Sequence, residues 1–221
     1  MSVQVTPLSD AIGAEITGVD LNETMDGEVL DTVHAAWLRF KIILFRGTTL
    51  SADDQTRFAQ SFGDIQPIRS ATHILGDNQQ FMHVSNRDVD GKPGVLPEGE
   101  MQFHNDQSYY ERPAKATILN AIEIPDAGGH TLFMNTVSAY AALSADMKAR
   151  LDGLRVLNIY DYDTNPTIKG DGIRADAPQF EHPVVIHHPE TREQALFVSR
   201  LMSDHITGME RADSDALLTE L

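Results

Sequence analysis

A histidine and an aspartate lie two positions apart in the segment EMQFHND, at His104 and Asp106. Side chains at positions i and i+2 of an extended chain point to the same face, so an imidazole nitrogen and a carboxylate oxygen can be directed at one point. With one further histidine, the pair would make the 2-His-1-carboxylate arrangement that binds iron(II) and leaves positions open for a 2-oxo acid and oxygen. An H-x-D pair alone is also compatible with a surface histidine beside a carboxylate.

The composition restricts the partners and the cellular setting that we expect. The chain has 221 residues, a formal net charge of −16 and no cysteine. Because thiols are missing, disulfides and zinc–thiolate sites are excluded, and a cytoplasmic location is expected. The acidity disfavours binding to phosphate backbones, so no nucleic-acid partner is expected. No apolar run reaches about 18 residues, so we expect neither a membrane-spanning helix nor a membrane partner.

Helices are predicted mainly in the first half of the chain. Apolar residues recur at helical spacing over residues 27–40, which predicts an amphipathic helix. Ser51 is a good N-cap for a second helix over residues 52–62. Strands are predicted over Ile42–Phe45 and Phe81–Val84.

The second half is rich in strand patterns, which are interrupted by a helix that Ser144 caps and Gly153 ends. A further capped helix is predicted from Ser214 to the end of the chain. The candidate strands are ATILNAIEI, TLFM, RVLNIYDY, HPVVIHH and ALFVS. Helices followed by many short strands favour an antiparallel sandwich or barrel over alternating βαβ units. We expect a single domain over residues 1–221.

Two long polar segments, residues 87–100 and 163–181, contain glycine and proline and have no periodicity. Loops of this length inside a compact domain often cover an active site. We therefore predict that both segments are mobile active-site loops.

Several motifs together resemble the taurine dioxygenase / 2,4-dichlorophenoxyacetate dioxygenase family of iron(II)- and 2-oxoglutarate-dependent enzymes. The resemblance extends over essentially the whole chain. Gly128–Phe133 is similar to the family's G-G-D-T-L-[FW] signature, with His130 in place of the usual aspartate. The stretches that carry the resemblance are IGAEITGVDL, IILFRG, FAQSFGDI, FHNDQSYYERPAKATILNAIEIPDAGGHTLFMN, SAYAALSADMKARLDGL and HPVVIHHPETREQALFVS.

The resemblance implies a mainly β fold with flanking helices (α+β), the cupin-like double-stranded β-helix or jelly roll. It implies that His104 and Asp106 bind Fe(II), that the Thr131 hydroxyl hydrogen-bonds a carboxylate of the cosubstrate 2-oxoglutarate, and that O2 is the oxidant. Three residues after the H-x-D pair are expected to shape the substrate pocket: Gln107, Tyr109 and Tyr110. Core packing is an equally good interpretation of either tyrosine.

The chain lacks the family's second iron-binding histidine and the arginine that pairs with 2-oxoglutarate. In the family, the histidine lies in a segment resembling G-D-[LV]-x-[IVM]-W-D-N-R-x-x-x-H and the arginine follows it; this sequence contains no such segment. The last predicted helix stops at Leu221 without a C-cap, so we expect a truncated C-terminal part, with both residues beyond position 221. Four histidines and one arginine are available to replace the missing histidine and arginine, but we interpret them as structural or surface residues. They are His182, His187, His188, His205 and Arg200.

Substrate recognition in the taurine enzymes uses a histidine after the FG(D/E)(L/I) turn and an asparagine shortly before the H-x-D pair. The corresponding positions here are Ile68 and Glu100, although His73 lies near the first of them. A carboxylate beside an anionic substrate would be repulsive, so taurine is disfavoured. We expect hydroxylation of a small, carboxylate-bearing organic substrate, with possible fragmentation of the product as in phenoxyalkanoate or alkylsulfonate cleavage.

Two other functions are compatible with the sequence. A catalytically inactive jelly-roll binding protein would account for the incomplete iron site, and iron titration would detect it. A cupin-like metalloenzyme would consume oxygen without 2-oxoglutarate. The sequence leaves the oligomeric state open, and a homo-oligomer is compatible with it.

Overall fold

The computed structural model describes residues 2–66, 74–75, 78–82, 84–88, 101–160 and 176–221. The chain divides into two compact units. Unit 1 comprises Met1–Val19, Gly27–Gly47 and Gln102–Leu221, and unit 2 comprises Asp20–Asp26 and Thr48–Met101. The predicted loops at 87–100 and 163–181 lie mostly outside the described residues. Three positions considered for substrate recognition, Ile68, His73 and Glu100, also lie outside them.

Unit 1 begins with a three-stranded sheet and one helix. Strand β1 (Gln4–Pro7) pairs antiparallel with β2 (Ala14–Thr17), which pairs in parallel with β3 (Ile43–Leu44). Helix α1 (Gly27–Phe40) connects the two parallel strands and buries Val33 on the apolar face that the sequence predicts. The predicted helix is confirmed, and the predicted strand IILF is reduced to its two central residues.

Unit 2 contains a helix and a strand pair. Helix α2 (Ala52–Gln60) begins at the predicted N-cap Ser51, which forms a capping box with Asp54. Strands β4 (Ile74–Leu75) and β5 (Asn78–Met82) pair antiparallel. The predicted strand Phe81–Val84 is therefore displaced toward the N-terminus.

The main apolar core of unit 1 is built on a second antiparallel sheet. Its order is β10 (Ser203–Ile206), β6 (Arg155–Ile159) and β7 (Gln179–Pro183), and β8 (Val185–His187) forms a hairpin with β9 (Gln194–Leu196). The buried cluster consists of Leu151, Val156, Val184, Leu196, Ile206 and Leu217. The predicted strand RVLNIYDY is confirmed over Arg155–Ile159, HPVVIHH divides between β7 and β8, and ALFVS is a strand only at Ala195 and Leu196.

Three helices pack apolar side chains against this core. They are α3 (Thr136–Ala142), α4 (Ala145–Leu151) and α5 (Arg211–Glu220). The Ser144 hydroxyl caps α4, as predicted, by accepting a hydrogen bond from the N–H of Met147. Helix α3 was not predicted. Among the described residues, no helix combines the length and the apolar character that crossing a bilayer requires.

Two predicted strands are not formed, and this part of the prediction is wrong. Residues 116–124 (ATILNAIEI) and 131–134 (TLFM) are not paired as strands, and most of their large apolar side chains are exposed. Ile122, for example, is 82% exposed. An apolar alternation forms a strand only where another strand satisfies its backbone groups, and the structure pairs neither segment. The described residues therefore form a mixed fold of helices and short sheets, with fewer strands than the sequence predicts.

The predicted cap at Ser214 is also wrong. Helix α5 begins three residues earlier, and its N-cap Glu210 makes no side-chain capping bond. Ser214 is fully buried inside the helix, and its Oγ accepts a hydrogen bond of 2.8 Å from the N–H of Ile206. This serine therefore joins the helix to the end of β10.

Ser214→Ala is expected to lower the free energy of unfolding by about 1–3 kcal/mol, because the buried amide of Ile206 would lose its partner. Urea unfolding followed by circular dichroism measures the change. Thr219→Ala is the control, since it removes an exposed hydroxyl that donates to the carbonyl of Asp215 in the same helix. The control should change stability by no more than about 0.5 kcal/mol. Equal losses in both variants would contradict the role of Ser214.

Candidate metal centre

The H-x-D pair lies at the start of a turn rather than within a regular strand. Residues 106–109 form the turn, in which Gln107 has a positive φ of 58°. The N–H of Tyr110 donates to the carbonyl of Gln107 at 3.0 Å, and the N–H of Ser108 to that of Asn105 at 3.4 Å. The backbone thus changes direction immediately after the two predicted ligands.

Two hydrogen bonds attach this segment to the rest of unit 1. The N–H of Leu201 donates to the carbonyl of Phe103 at 3.4 Å, just before the pair. Just after it, Nε2 of His182 lies 2.8 Å from the carbonyl oxygen of Tyr110. His182 is buried on β7, and its ring lies edge-on to that of Phe197, with the centroids 5.1 Å apart. Because packing fixes this imidazole, it holds the turn in a defined position.

The side chains of His104 and Asp106 converge, as their spacing predicts. Nε2 of His104 lies 3.2 Å from Oδ1 of Asp106. Two ligands at about 2.1 Å from a metal ion, and at right angles to each other, are about 3.0 Å apart. The separation therefore fits neighbouring positions on one divalent cation. An imidazole nitrogen and a carboxylate oxygen are also donor types that suit iron(II).

The second ring nitrogen of His104 determines its tautomer. Nδ1 lies 2.9 Å from the carbonyl oxygen of Gln102, which can only accept a hydrogen bond. Nδ1 must therefore carry a hydrogen, and Nε2 is the nitrogen available for a metal ion. A metal-binding histidine is usually oriented by this kind of contact.

The second oxygen of Asp106 also has a partner. Oδ2 accepts a hydrogen bond from the hydroxyl of Thr117. Thr117 was not predicted, since nothing in the strand-like pattern ATILNAIEI distinguishes this threonine from an ordinary strand residue. The structure therefore gives each oxygen of the carboxylate a different neighbour.

Mutual hydrogen bonding shifts the pKa values of the pair in opposite directions. The hydrogen bond with Asp106 raises the pKa of His104, although burial opposes this shift. The hydrogen bond with His104 lowers the pKa of Asp106, again against the effect of burial. The carboxylate is therefore held in its ionised form, and a divalent cation would replace the proton that Nε2 directs toward it.

Thr131, the predicted contact for 2-oxoglutarate, follows a turn formed by Gly128 and Gly129. These glycines have φ values of 80° and 63°. A Cβ at position 129 would also lie 3.1 Å from Cγ of Pro125, so the position requires glycine. The Thr131 side chain is exposed beyond this turn. Its role toward the cosubstrate stays a prediction.

The predicted substrate residues Tyr109 and Tyr110 belong to an aromatic cluster. Their ring centroids are 4.7 Å apart, and the ring of Tyr109 is also 4.7 Å from that of Tyr160. Tyr160 was not predicted, because it lies in a distant part of the sequence. Both predicted tyrosines and Gln107 are half-buried. Their contact with a substrate stays a prediction.

Two other described histidines, His188 and His205, have the contacts of structural residues. Nδ1 of His188 accepts a hydrogen bond of 3.1 Å from the N–H of Thr191 in the β8–β9 turn, and burial lowers the pKa of this histidine. Nδ1 of His205 lies 2.7 Å from Oδ2 of Asp204, and His187 is exposed on β8. Within the described part of the chain, no three histidine, aspartate or glutamate side chains form a group that could hold a metal ion.

Residues 4–221 match the family described as "Taurine catabolism dioxygenase TauD, TfdA family". The chain belongs to this family. The family predicted from the motifs is thereby confirmed. The enzyme class is confirmed with it: this TauD/TfdA family member is an iron(II)- and 2-oxoglutarate-dependent dioxygenase that uses O2.

Relatives of this TauD/TfdA family member act on different molecules. The (S)-phenoxypropionate/alpha-ketoglutarate-dioxygenase of Sphingobium herbicidovorans is 30% identical over 98% of this chain and 77% of the relative. The alpha-ketoglutarate-dependent sulfate ester dioxygenase of Pseudomonas putida is 32% identical over 100% of this chain and 74% of the relative. The crystal structure of a taurine dioxygenase from Burkholderia xenovorans matches with a TM-score of 0.75 and 32% identity, over 100% of this chain and 71% of that one.

His182→Leu is expected to lower the free energy of unfolding by about 1–3 kcal/mol, because the carbonyl of Tyr110 would lose the donor that holds the turn. Thermal denaturation compares this variant with His187→Leu, which alters an exposed histidine on the next strand. The His187 variant should remain within about 0.5 kcal/mol of the unmodified protein. If His182→Leu were as stable as this control, the turn would be held by other contacts.

Proposed function

We propose that this dioxygenase hydroxylates a small, carboxylate-bearing organic substrate at an iron(II) ion that His104 and Asp106 bind. The observation that carries the proposal is the 3.2 Å separation of Nε2 and Oδ1, with the tautomer of His104 set by Gln102. When bound, iron(II) supplies oxidative decarboxylation of 2-oxoglutarate to succinate and carbon dioxide, coupled to substrate hydroxylation. The double-stranded β-helix is the fold that we propose with this function.

The residues of this chain bind and orient the reactants. Nε2 of His104 and Oδ1 of Asp106 would hold the metal ion. The Thr131 hydroxyl is proposed to donate to a carboxylate of 2-oxoglutarate. The half-buried Tyr109 and Tyr110, together with Gln107, are proposed to border the substrate, because they directly follow the Asp106 ligand in the same turn.

The relatives support a substrate that breaks after hydroxylation. Phenoxypropionate and sulfate esters, named for two relatives, both carry an oxygen next to a carbon that can be hydroxylated. Hydroxylation of such a carbon gives an unstable product that fragments at the C–O bond. We propose a carboxylate-bearing substrate of this kind, in which an oxygen lies next to the carbon that is hydroxylated.

His104→Ala is the direct test of the metal site. In the full-length protein, this variant should lose detectable 2-oxoglutarate turnover and should bind iron(II) much more weakly, because one ligand is removed while the fold remains. Succinate release and anaerobic iron titration measure these effects, and circular dichroism checks the fold. His187→Ala is the matched control and should behave like the unmodified protein.

Wild-type turnover by His104→Ala would refute the proposed site. Oxygen consumption that does not require 2-oxoglutarate would favour a cupin-like metalloenzyme instead. If the unmodified full-length protein bound no iron, a binding protein without catalytic activity would be the better description.

Thr131→Val tests the cosubstrate contact. The substitution keeps the shape of the side chain and removes one donor to a charged group, which should cost about 1.5–3 kcal/mol. We expect the 2-oxoglutarate concentration needed for half-maximal turnover to rise roughly tenfold or more, with iron affinity unchanged. An unaltered 2-oxoglutarate dependence would show that the Thr131 hydroxyl does not contact the cosubstrate.

A further inference from the structure

The hydroxyl of Thr117 lies against the carboxylate of Asp106, and the function proposed above does not use it. We propose that Thr117 is a positioning residue, which orients the Asp106 carboxylate so that Oδ1 is presented to the metal ion. The inference rests on the proposed role of Asp106 as an iron ligand. It identifies the side chain that determines which oxygen of Asp106 binds the metal ion.

The two oxygens of Asp106 have different partners. Oδ1 lies 3.2 Å from Nε2 of His104, on the side where the two ligands converge. Oδ2 accepts the hydrogen bond from Thr117. A carboxylate with one oxygen engaged in this way offers the other oxygen to a cation, so Asp106 would hold a metal ion through Oδ1.

Local backbone structure does not by itself fix the plane of this carboxylate. Asp106 begins a turn, and its side chain is 45% exposed, so close packing does not surround it. Rotation about the bond that carries an aspartate carboxylate is broad and weakly restricted. The hydroxyl of Thr117 supplies the restraint that neither the turn nor the packing provides. Thr117 is itself β-branched, so its own χ1 rotation is restricted.

His104 is oriented in the same way as Asp106, by a contact that holds one of its two polar atoms. One ring nitrogen donates to the carbonyl of Gln102, and the other faces the metal position. In Asp106, one oxygen accepts from Thr117, and the other faces the same position. Each proposed ligand therefore has one atom held by the protein and one atom directed at the ion, as outer contacts of metal ligands usually provide.

The exposure of Thr117 separates a positioning role from a structural one. Its side chain is exposed, and the segment around it forms no helix or strand. Loss of one exposed hydrogen bond should therefore have little effect on folding. The same loss should have a larger effect on metal affinity, because contacts that orient metal ligands commonly change affinity by about 10–100-fold.

The test compares Mn(II) affinity in the full-length protein and four variants, by titration with the electron paramagnetic resonance signal of free Mn(II) as the readout. Thr117→Val should bind Mn(II) about tenfold or more weakly, and Thr117→Ser, which keeps the hydroxyl, should bind like the unmodified protein. Thr207→Val is the matched control, since it removes a hydroxyl that donates to the carbonyl of Arg155. It should leave the affinity unchanged. Asp106→Ala should lose binding.

The outcomes separate this inference from the proposed function. If Asp106→Ala loses Mn(II) binding while Thr117→Val binds normally, the metal site stands and the role of Thr117 is overturned. Equal weakening by Thr117→Val and Thr117→Ser would also overturn it, because the hydroxyl would not be the responsible group. If Asp106→Ala binds Mn(II) normally, Asp106 is not a ligand, and both proposals fail.

Discussion

The convergence of one imidazole nitrogen and one carboxylate oxygen is the constraint on which the proposed chemistry of this protein depends. Nε2 of His104 and Oδ1 of Asp106 approach within 3.2 Å, although neither residue lies in a regular helix or strand. A carbonyl holds the imidazole, and a hydroxyl holds the carboxylate. Both proposed ligands are therefore oriented by protein contacts, which reduces the conformational freedom that binding of a metal ion would remove.

A buried histidine outside the proposed ligand pair helps to position this pair in the fold. His182 lies on β7 among aromatic rings and holds the carbonyl of Tyr110. Strand β7 in turn pairs with β6, whose Val156 is fully buried in the apolar core. The turn that carries the proposed ligands is thus attached to a packed sheet, and a functional site built on such a support keeps its geometry.

The exposed apolar segments 116–124 and 131–134 each contain a threonine to which we assign a role at the proposed site. Thr117 lies in the first and Thr131 in the second. Their alternating apolar side chains have the pattern of strands, but the structure pairs neither as a strand. Sequence pattern describes which face a strand would bury, whereas strand formation also requires a neighbour that satisfies the backbone groups. This is why the strand predictions were wrong for these two segments, whereas the predicted strands that overlap β6 to β9 have paired neighbours.

The sequence by itself determined the family, the enzyme class, the proposed ligands and the elements governed by local chemistry. The helix over residues 27–40, the capping serine Ser51 and the i, i+2 spacing of His104 and Asp106 all depend on residues close together in the chain. The tertiary structure decided the contacts between distant residues: Thr117 on Asp106, His182 on Tyr110, and Ser214 on Ile206. A threonine, a histidine or a serine forms such a bond only when folding brings its partner within about 3 Å. Since that distance depends on the packing of the whole unit, no local pattern could have predicted it.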